Sequence, residues 1–229
     1  MLTKLDFVRD FYENYYSKVF SNEGLSSKFN SLTHKAMEFR VRNNGQKTTN
    51  DSGYSILEIG AGKGEHFGFV KKDFDSYCML DILTQPVEIS QLQNVTWIQS
   101  DICDTNLQLD KYDRIISMCV FHHLHDPVTA MENIKKSLKR DGVFSLFLPS
   151  DPGILNRMVR KFFVTPNAKK QGFDYYELVN AREHKNHYWG LKKELEYQFK
   201  GFEITKRYYP FGIPAGNLSL FSIWHIRKK

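Results

Sequence analysis

Ser55-Ile56-Leu57-Glu58-Ile59-Gly60-Ala61-Gly62-Lys63-Gly64 is an apolar run that ends on three glycines within five positions. The first five residues read as a short strand, and the glycines as a sharp turn whose backbone can come close to a ligand. A helix over Glu65–Lys72 is expected next, its first N–H groups free to face a ligand. This is the layout of a cofactor loop.

The neighbouring residues narrow the cofactor. A dinucleotide fingerprint needs glycine at position 65, where Glu65 stands and would repel a pyrophosphate. No Gly-Lys-Ser/Thr occurs, which removes the P-loop. Glu58 suits a ligand with an ammonium group, such as the amino acid tail of S-adenosylmethionine. Asp81, at the end of the next strand, is placed to accept from both ribose hydroxyls. Asp101 follows the third strand and can accept from an adenine amino group. Strand-end acids also serve as turn or helix caps, so the force of Glu58, Asp81 and Asp101 lies in their register with the loop.

Outward from the loop, short β-rich runs alternate with helical segments, as in βαβ units on a parallel sheet. Strands are expected at Ser55–Ile59, Tyr77–Leu80, Val95–Ile98, Arg114–Met118 and Val143–Leu148, with helices near Pro86–Gln91 and Pro127–Leu138. Lys139-Arg140-Asp141-Gly142 reads as a basic last turn closed by glycine. Two helices open the chain, one with Leu5, Val8, Phe11/Tyr12, Tyr15 and Val19 at helical spacing, the other with Phe29, Leu32 and Ala36. The polar stretch Asn43–Gly53 reads as a linker. Behind Pro149 comes a basic, aromatic segment. A helix over Tyr188–Phe199 and strands Glu203–Tyr208 and Ser219–Ile226 close the chain as a hairpin.

These motifs resemble those of the class I S-adenosylmethionine-dependent methyltransferases. Leu57 to Gly64 looks like their first motif, Met79-Leu80-Asp81-Ile82 like their ribose-binding strand end, and Ser100-Asp101-Ile102 like their adenine-binding motif. Tyr112-Asp113-Arg114-Ile115-Ile116 with Phe121-His122-His123-Leu124 is similar to their fourth motif, and Leu138 to Val143 to the entry of strand five. The resemblance implies an α/β, Rossmann-like, seven-stranded sheet in the order 3-2-1-4-5-7-6 with the last strand antiparallel. It implies S-adenosyl-L-methionine as cofactor, held by Glu58, Gly60, Gly62, Gly64, Asp81, Ile82, Asp101, Ile102 and Met118. One domain spans 1–229, with a helical cap at 1–50, the cofactor core at 54–149, a lid insertion at 150–187 and the closing helix and hairpin at 188–229. Position 141, often glycine in this family, is Asp141.

The acceptor belongs beyond the fourth strand, where the loop carries His122 and His123. Histidine titrates near neutral pH and suits removal of a hydroxyl proton. His125-Asp126-Pro127 reads as a helix cap. In the insertion, a helix after Gly153 carries the apolar stripe Leu155, Met158, Val159, Phe162 and Phe163. It reads as a lid packed on the domain; the sharper alternative is contact with anionic lipid. Arg157, Arg160, Lys161, Arg182 and His184 are candidates to hold an anionic substrate. Glu183 and His187 share a face if their segment is helical, so His187 is a further candidate base. No H-E-x-x-H occurs and no third ligand is evident, so no metal is expected.

The 229 residues carry a net charge of +6 spread along the chain, without an arginine-rich arm or a run of like charges. That pattern argues against dedicated nucleic-acid binding. Cys78, Cys103 and Cys119 form no C-x-x-C pair, no secretory leader is read, and no apolar run reaches membrane length, so a cytoplasmic protein with reduced thiols is expected. A looser likeness to methyltransferases of bacterial surface-carbohydrate pathways ranks the acceptors. The leading expectation is O-methylation of a phosphorylated or nucleotide-linked sugar in surface (capsule) polysaccharide biosynthesis. The alternatives are C-methylation of a lipid-linked quinone-like ring, an RNA methyltransferase, and a non-catalytic cofactor-binding protein.

Overall fold

All five residues of β1 (Ser55–Ile59) are buried, as expected of a strand covered on both faces. The computed structural model describes residues 6–20, 25–39, 53–70 and 73–229. Ahead of β1 lie α1 (Asp6–Asp10), a π-helical turn (Phe11–Tyr15), α2 (Tyr16–Val19) and α3 (Leu25–Met37). After it come β2 (Ser76–Asp81), α4 (Val87–Ser90), β3 (Val95–Gln99), β4 (Tyr112–Met118), α5 (Pro127–Ser137) and β5 (Leu138–Pro149). The insertion holds α6 (Ile154–Val159), a π-helical turn (Arg160–Val164), α7 (Thr165–Lys170) and α8 (Tyr176–Glu183). The chain closes with α9 (Tyr188–Gln198), β6 (Glu203–Tyr209) and β7 (Phe221–Arg227).

The sheet order is β3-β2-β1-β4-β5-β7-β6. The first five strands run parallel, and β7 lies antiparallel between β5 and β6. The topology expected from the sequence is therefore present. Alternation along the strands builds a core on each face. Leu57, Ile59, Ile115 and Leu146 pack with Ala130, Met131 and Ile134 of α5 and Leu191 and Leu195 of α9. On the other face Ile56, Tyr77, Ile116 and Ile223 pack with Met37 of α3. A third cluster joins Phe11 and Val19 to Ala168, Phe173, Tyr176 and Val179, so the N-terminal helices rest on the insertion.

Four local expectations are corrected. Turns and a single 3-10 turn (Phe67–Phe69) follow the glycine loop in place of the helix over Glu65–Lys72, whose last two residues lie outside the described ones. Gly68 and the flanking aromatics are weak helix formers, and His66 is drawn into a buried network with Glu38. Lys139 to Gly142 belongs to β5, and the left-handed residue there is Asp141 (φ +63°) rather than Gly142. Position 141 thus takes the conformation that explains the family's preference for glycine. In α3, Phe29 and Leu32 are exposed while Thr33, His34 and Met37 are buried, because His34 faces that same network. Met158, Phe162 and Phe163 are likewise exposed, so the stripe expected to pack is not the buried face; Ala168 anchors the insertion instead. The linker expected at 43–53 lies, except for Gly53, outside the described residues.

Candidate active site

The glycine loop sits at the carboxyl ends of β1 and β2, tied down by the Gly60 N–H to the Leu80 carbonyl at 2.8 Å. Gly60 (φ +68°) has no room for a side chain, since a Cβ would lie 2.2 Å from Val120 Cγ2. At Gly62 a Cβ would meet only Glu65 Oε2, at 3.4 Å, so the outer face of the loop is open to a ligand. Asp81 ends β2 and accepts from the Gly62 N–H at 2.8 Å and the Leu83 N–H at 2.9 Å, fixing the loop against the strand. Asp101 accepts from the Cys103 N–H at 2.8 Å and lies 3.5 Å from His125 Nδ1.

Glu58, expected to meet the ammonium group of the cofactor, is buried. It is 2% exposed and accepts a hydrogen bond from the Tyr77 hydroxyl at 2.7 Å. Burial pushes its pKa up to about 8, against the pull of that bond. The exposed carboxylate beside Gly62 is that of Glu65. Ile82 is exposed, Met118 is half-buried, and Ile102 is buried in the core.

Beyond β4 the chain turns at Cys119, which takes φ +56°, and delivers His122 and His123. Their ring centroids are 4.0 Å apart, and His184 of the insertion stands 4.3 Å from the first and 5.2 Å from the second. His123 Nδ1 lies 3.0 Å from the Glu183 carbonyl. Asp151 holds His184 Nδ1 at 2.5 Å and Arg160 Nη1 at 2.7 Å. Asn180 Nδ2 also reaches His184 Nε2, at 3.0 Å. The buried Nδ1 of His122 has no hydrogen-bond partner. Burial, reinforced by the neighbouring imidazoles, holds His122 well below its usual pKa and His123 down to about 4. At Asp151 burial raises the pKa, but the bonds from His184 and Arg160 outweigh it and the net shift is downward.

The insertion is clamped onto this loop by Asn186, whose Nδ2 donates to the carbonyls of Phe121 at 3.0 Å and Leu124 at 2.6 Å. A cavity of about 740 Å³ opens beside it, lined by Asp151, Arg157, Arg160, Lys161, His184 and His187 among others. Four of the five expected substrate residues therefore line one space. The fifth, Arg182, sets its guanidinium over the Phe7 ring at 4.5 Å.

The expected Glu183–His187 pair does not form. The helix α8 ends at Glu183, and exposed His187 stands just before α9 without a side-chain capping bond. The pairing of His184 with Asp151 was missed, because 33 residues separate the two in sequence. Asp126 does cap α5, accepting from the Val128 and Thr129 N–H groups.

Residues 57–146 match the family described as a methyltransferase domain. This stretch is a methyltransferase domain, and the sheet around it has the strand order of the class I fold. The methyltransferase fold recurs in solved structures. The plantazolicin methyltransferase BpumL, in complex with a pentazolic desmethylPZN analog and SAH, is 16% identical with a TM-score of 0.67, covering 97% of this chain and 95% of that one. The CurJ carbon methyltransferase is 17% identical with a TM-score of 0.63, covering 94% of this chain, which spans 58% of the CurJ chain. The Burkholderia thailandensis 1,6-didemethyltoxoflavin-N1-methyltransferase is 13% identical with a TM-score of 0.57, covering 100% of this chain and 92% of that one. At such identities the likeness speaks for the fold. No curated protein matches. Among the described residues no helix is long and apolar enough to cross a membrane.

S-adenosylmethionine is the cofactor of this enzyme class, and the loop suits it. The loop has an open face over Gly62, with Asp81 at the strand end and the Glu65 carboxylate beside it. None of these features calls for a pyrophosphate.

Proposed function

We infer that this methyltransferase methylates an oxygen of a small anionic acceptor held in the cavity between α6 and α8. The observation that carries the reading is His184, which both lines that cavity and belongs to the histidine cluster at the end of β4. Ligands of open α/β sheets sit outside the carboxyl ends of the strands, which puts the reacting centre at this junction.

S-adenosylmethionine supplies an electrophilic methyl carbon when bound; the chain has to position the acceptor and relieve it of a proton. Gly60, Gly62 and Gly64 shape the loop around the cofactor, Asp81 receives the ribose hydroxyls and Asp101 the adenine amino group. Glu65 takes the ammonium role first given to Glu58. Arg157 and Lys161 attract the anionic group, while Arg160 and Asp151 hold His184 in place. His122, His123 and His184 together activate the acceptor hydroxyl. The whole of 1–229 works as one domain, with 150–187 as the lid that completes the acceptor side. A phosphorylated or nucleotide-linked sugar, as used in making surface polysaccharides, fits a cavity with this charge.

Radiolabelled donor offered with a panel of such sugars tests the reading. The expected product carries the label in a methyl ether on a sugar hydroxyl. Label on carbon or nitrogen, or transfer only to uncharged acceptors, would overturn it.

A further inference from the structure

We propose that His122, His123 and His184 bind one zinc-class divalent ion, with its open coordination position turned to the cavity. One nitrogen from each ring lies within 4.8 Å of those of the other two. Imidazole is a common ligand for zinc, copper, iron and nickel, and three histidines with one open position is a recurrent catalytic zinc arrangement. Closing onto an ion at roughly 2.0–2.1 Å requires the rings to draw inward and His184 Nε2 to give up its Asn180 contact.

Two further observations point to an ion. The His122 Nδ1 is buried and unpartnered, a state that native interiors rarely leave without a reason. The outer contacts are those that metal-bound histidines usually keep, in which the second ring nitrogen donates to a carbonyl or carboxylate. His123 Nδ1 has the Glu183 carbonyl and His184 Nδ1 has Asp151, itself steadied by Arg160. The Asn180 amide now on His184 Nε2 is the contact the ion displaces. A second group, Asp101, Cys103 and His125, also brings three ligand atoms together. There the Asp101 carboxylate accepts from the Cys103 N–H and the Cys103 thiol lies on the Asp126 carbonyl, so hydrogen bonding accounts for the geometry.

Ion binding itself depends only on the cluster. Its use rests on the function proposed above: an acceptor hydroxyl bound at the open position would lose its proton more readily, as metal-bound water does.

The test uses the full chain, stripped with a chelator and titrated with Zn²⁺ against a chromophoric competitor, and with Co²⁺ followed by visible absorption. One ion per chain and a tetrahedral Co²⁺ spectrum are expected. His184→Asn and His123→Asn should abolish the spectrum, Asp151→Asn should weaken Zn²⁺ binding about 10–100-fold, and His125→Ala should leave both unchanged. Circular dichroism checks that each variant folds. Absence of stoichiometric binding by the folded wild type overturns the proposal, as does binding that survives in folded His184→Asn and His123→Asn. Calorimetry with S-adenosylhomocysteine separates the two readings. Cofactor binding and an ion without transfer to any hydroxyl leaves the ion site standing and removes the O-methylation. Transfer by a chain that binds no ion does the reverse.

Discussion

Two groups of histidines differ in how completely their partners are supplied. Under α3, His34 Nδ1 lies 2.9 Å from His66 Nδ1, and His66 Nε2 lies 3.0 Å from Glu38. Glu38 in turn accepts both terminal nitrogens of Arg114, at 3.0 and 2.7 Å. Burial alone would raise the Glu38 pKa, yet the His66 bond and the Arg114 charge bring it down to about 2. At the end of β4, by contrast, His122 keeps a bare nitrogen and His184 faces an open cavity. The closed network fastens a helix to the sheet. The incomplete one has coordination left to offer, which supports the reactive role proposed for it.

The comparison breaks most visibly in stability. Glu38→Ala leaves Arg114 buried without a counter-charge, and loss of one partner of such a pair costs about 3–5 kcal/mol. Denaturant unfolding should show a drop of that size, whereas His184→Ala at the cavity should move the midpoint far less. Equal losses at both sites would erase the distinction.

Asp81→Ala comes next. Removing a charged acceptor costs roughly 1.5–3 kcal/mol, and Asp81 also ties the Gly62 and Leu83 N–H groups. Calorimetry should therefore record weaker S-adenosylhomocysteine binding, and unchanged affinity would remove Asp81 from the cofactor site.

The closed network also has a pH signature. Burial, with help from His66, lowers the His34 pKa to about 4 from an ordinary 6.5. The unfolded chain then binds more protons between those values, so stability rises with pH across that window. It should be full above about pH 6.5 and decline as pH falls toward 4. Burial lowers His225, and burial together with His184 lowers His123, to about 4 as well, and both act in the same direction. Glu38 acts lower down, its contribution present above 4.5 and lost toward pH 2. Unfolding curves that superimpose from pH 7 to 5 would contradict the burial of these rings.

The smallest effect is electrostatic. Arg157 and Lys161 line the cavity in solvent reach, so salt should screen their pull on an anionic acceptor and raise KM, with cofactor affinity moving less. A KM indifferent to salt would favour an uncharged acceptor.

What was legible in the sequence was local. β1, the glycine turn and Asp81 sit close together in the chain; the alternation of strands and helices gave the parallel βαβ units, and the order of the sheet came from the family resemblance. Asp126 could be read as a cap because its partners are two and three residues away. The faces of α3 and α6 were misread because hydropathy cannot anticipate a polar network: His34 turns inward and leaves Phe29 and Leu32 outside. Glu183 and His187 were paired on a helix that ends at Glu183. The Asp151–His184–His122 constellation was beyond reach for a simpler reason: its members meet only after the insertion folds back over β4, clamped there by Asn186.

The central claim is that the histidine cluster, apart from the cofactor loop, activates the acceptor. The most direct measurement compares kcat and the S-adenosylhomocysteine dissociation constant of the wild type with those of His184→Ala. Loss of a group that removes the proton typically lowers the rate about 10²–10⁴-fold. The account predicts a fall of that order in kcat with the dissociation constant nearly unchanged. A variant that turns over at the wild-type rate, or one that loses cofactor binding in step with activity, would contradict it.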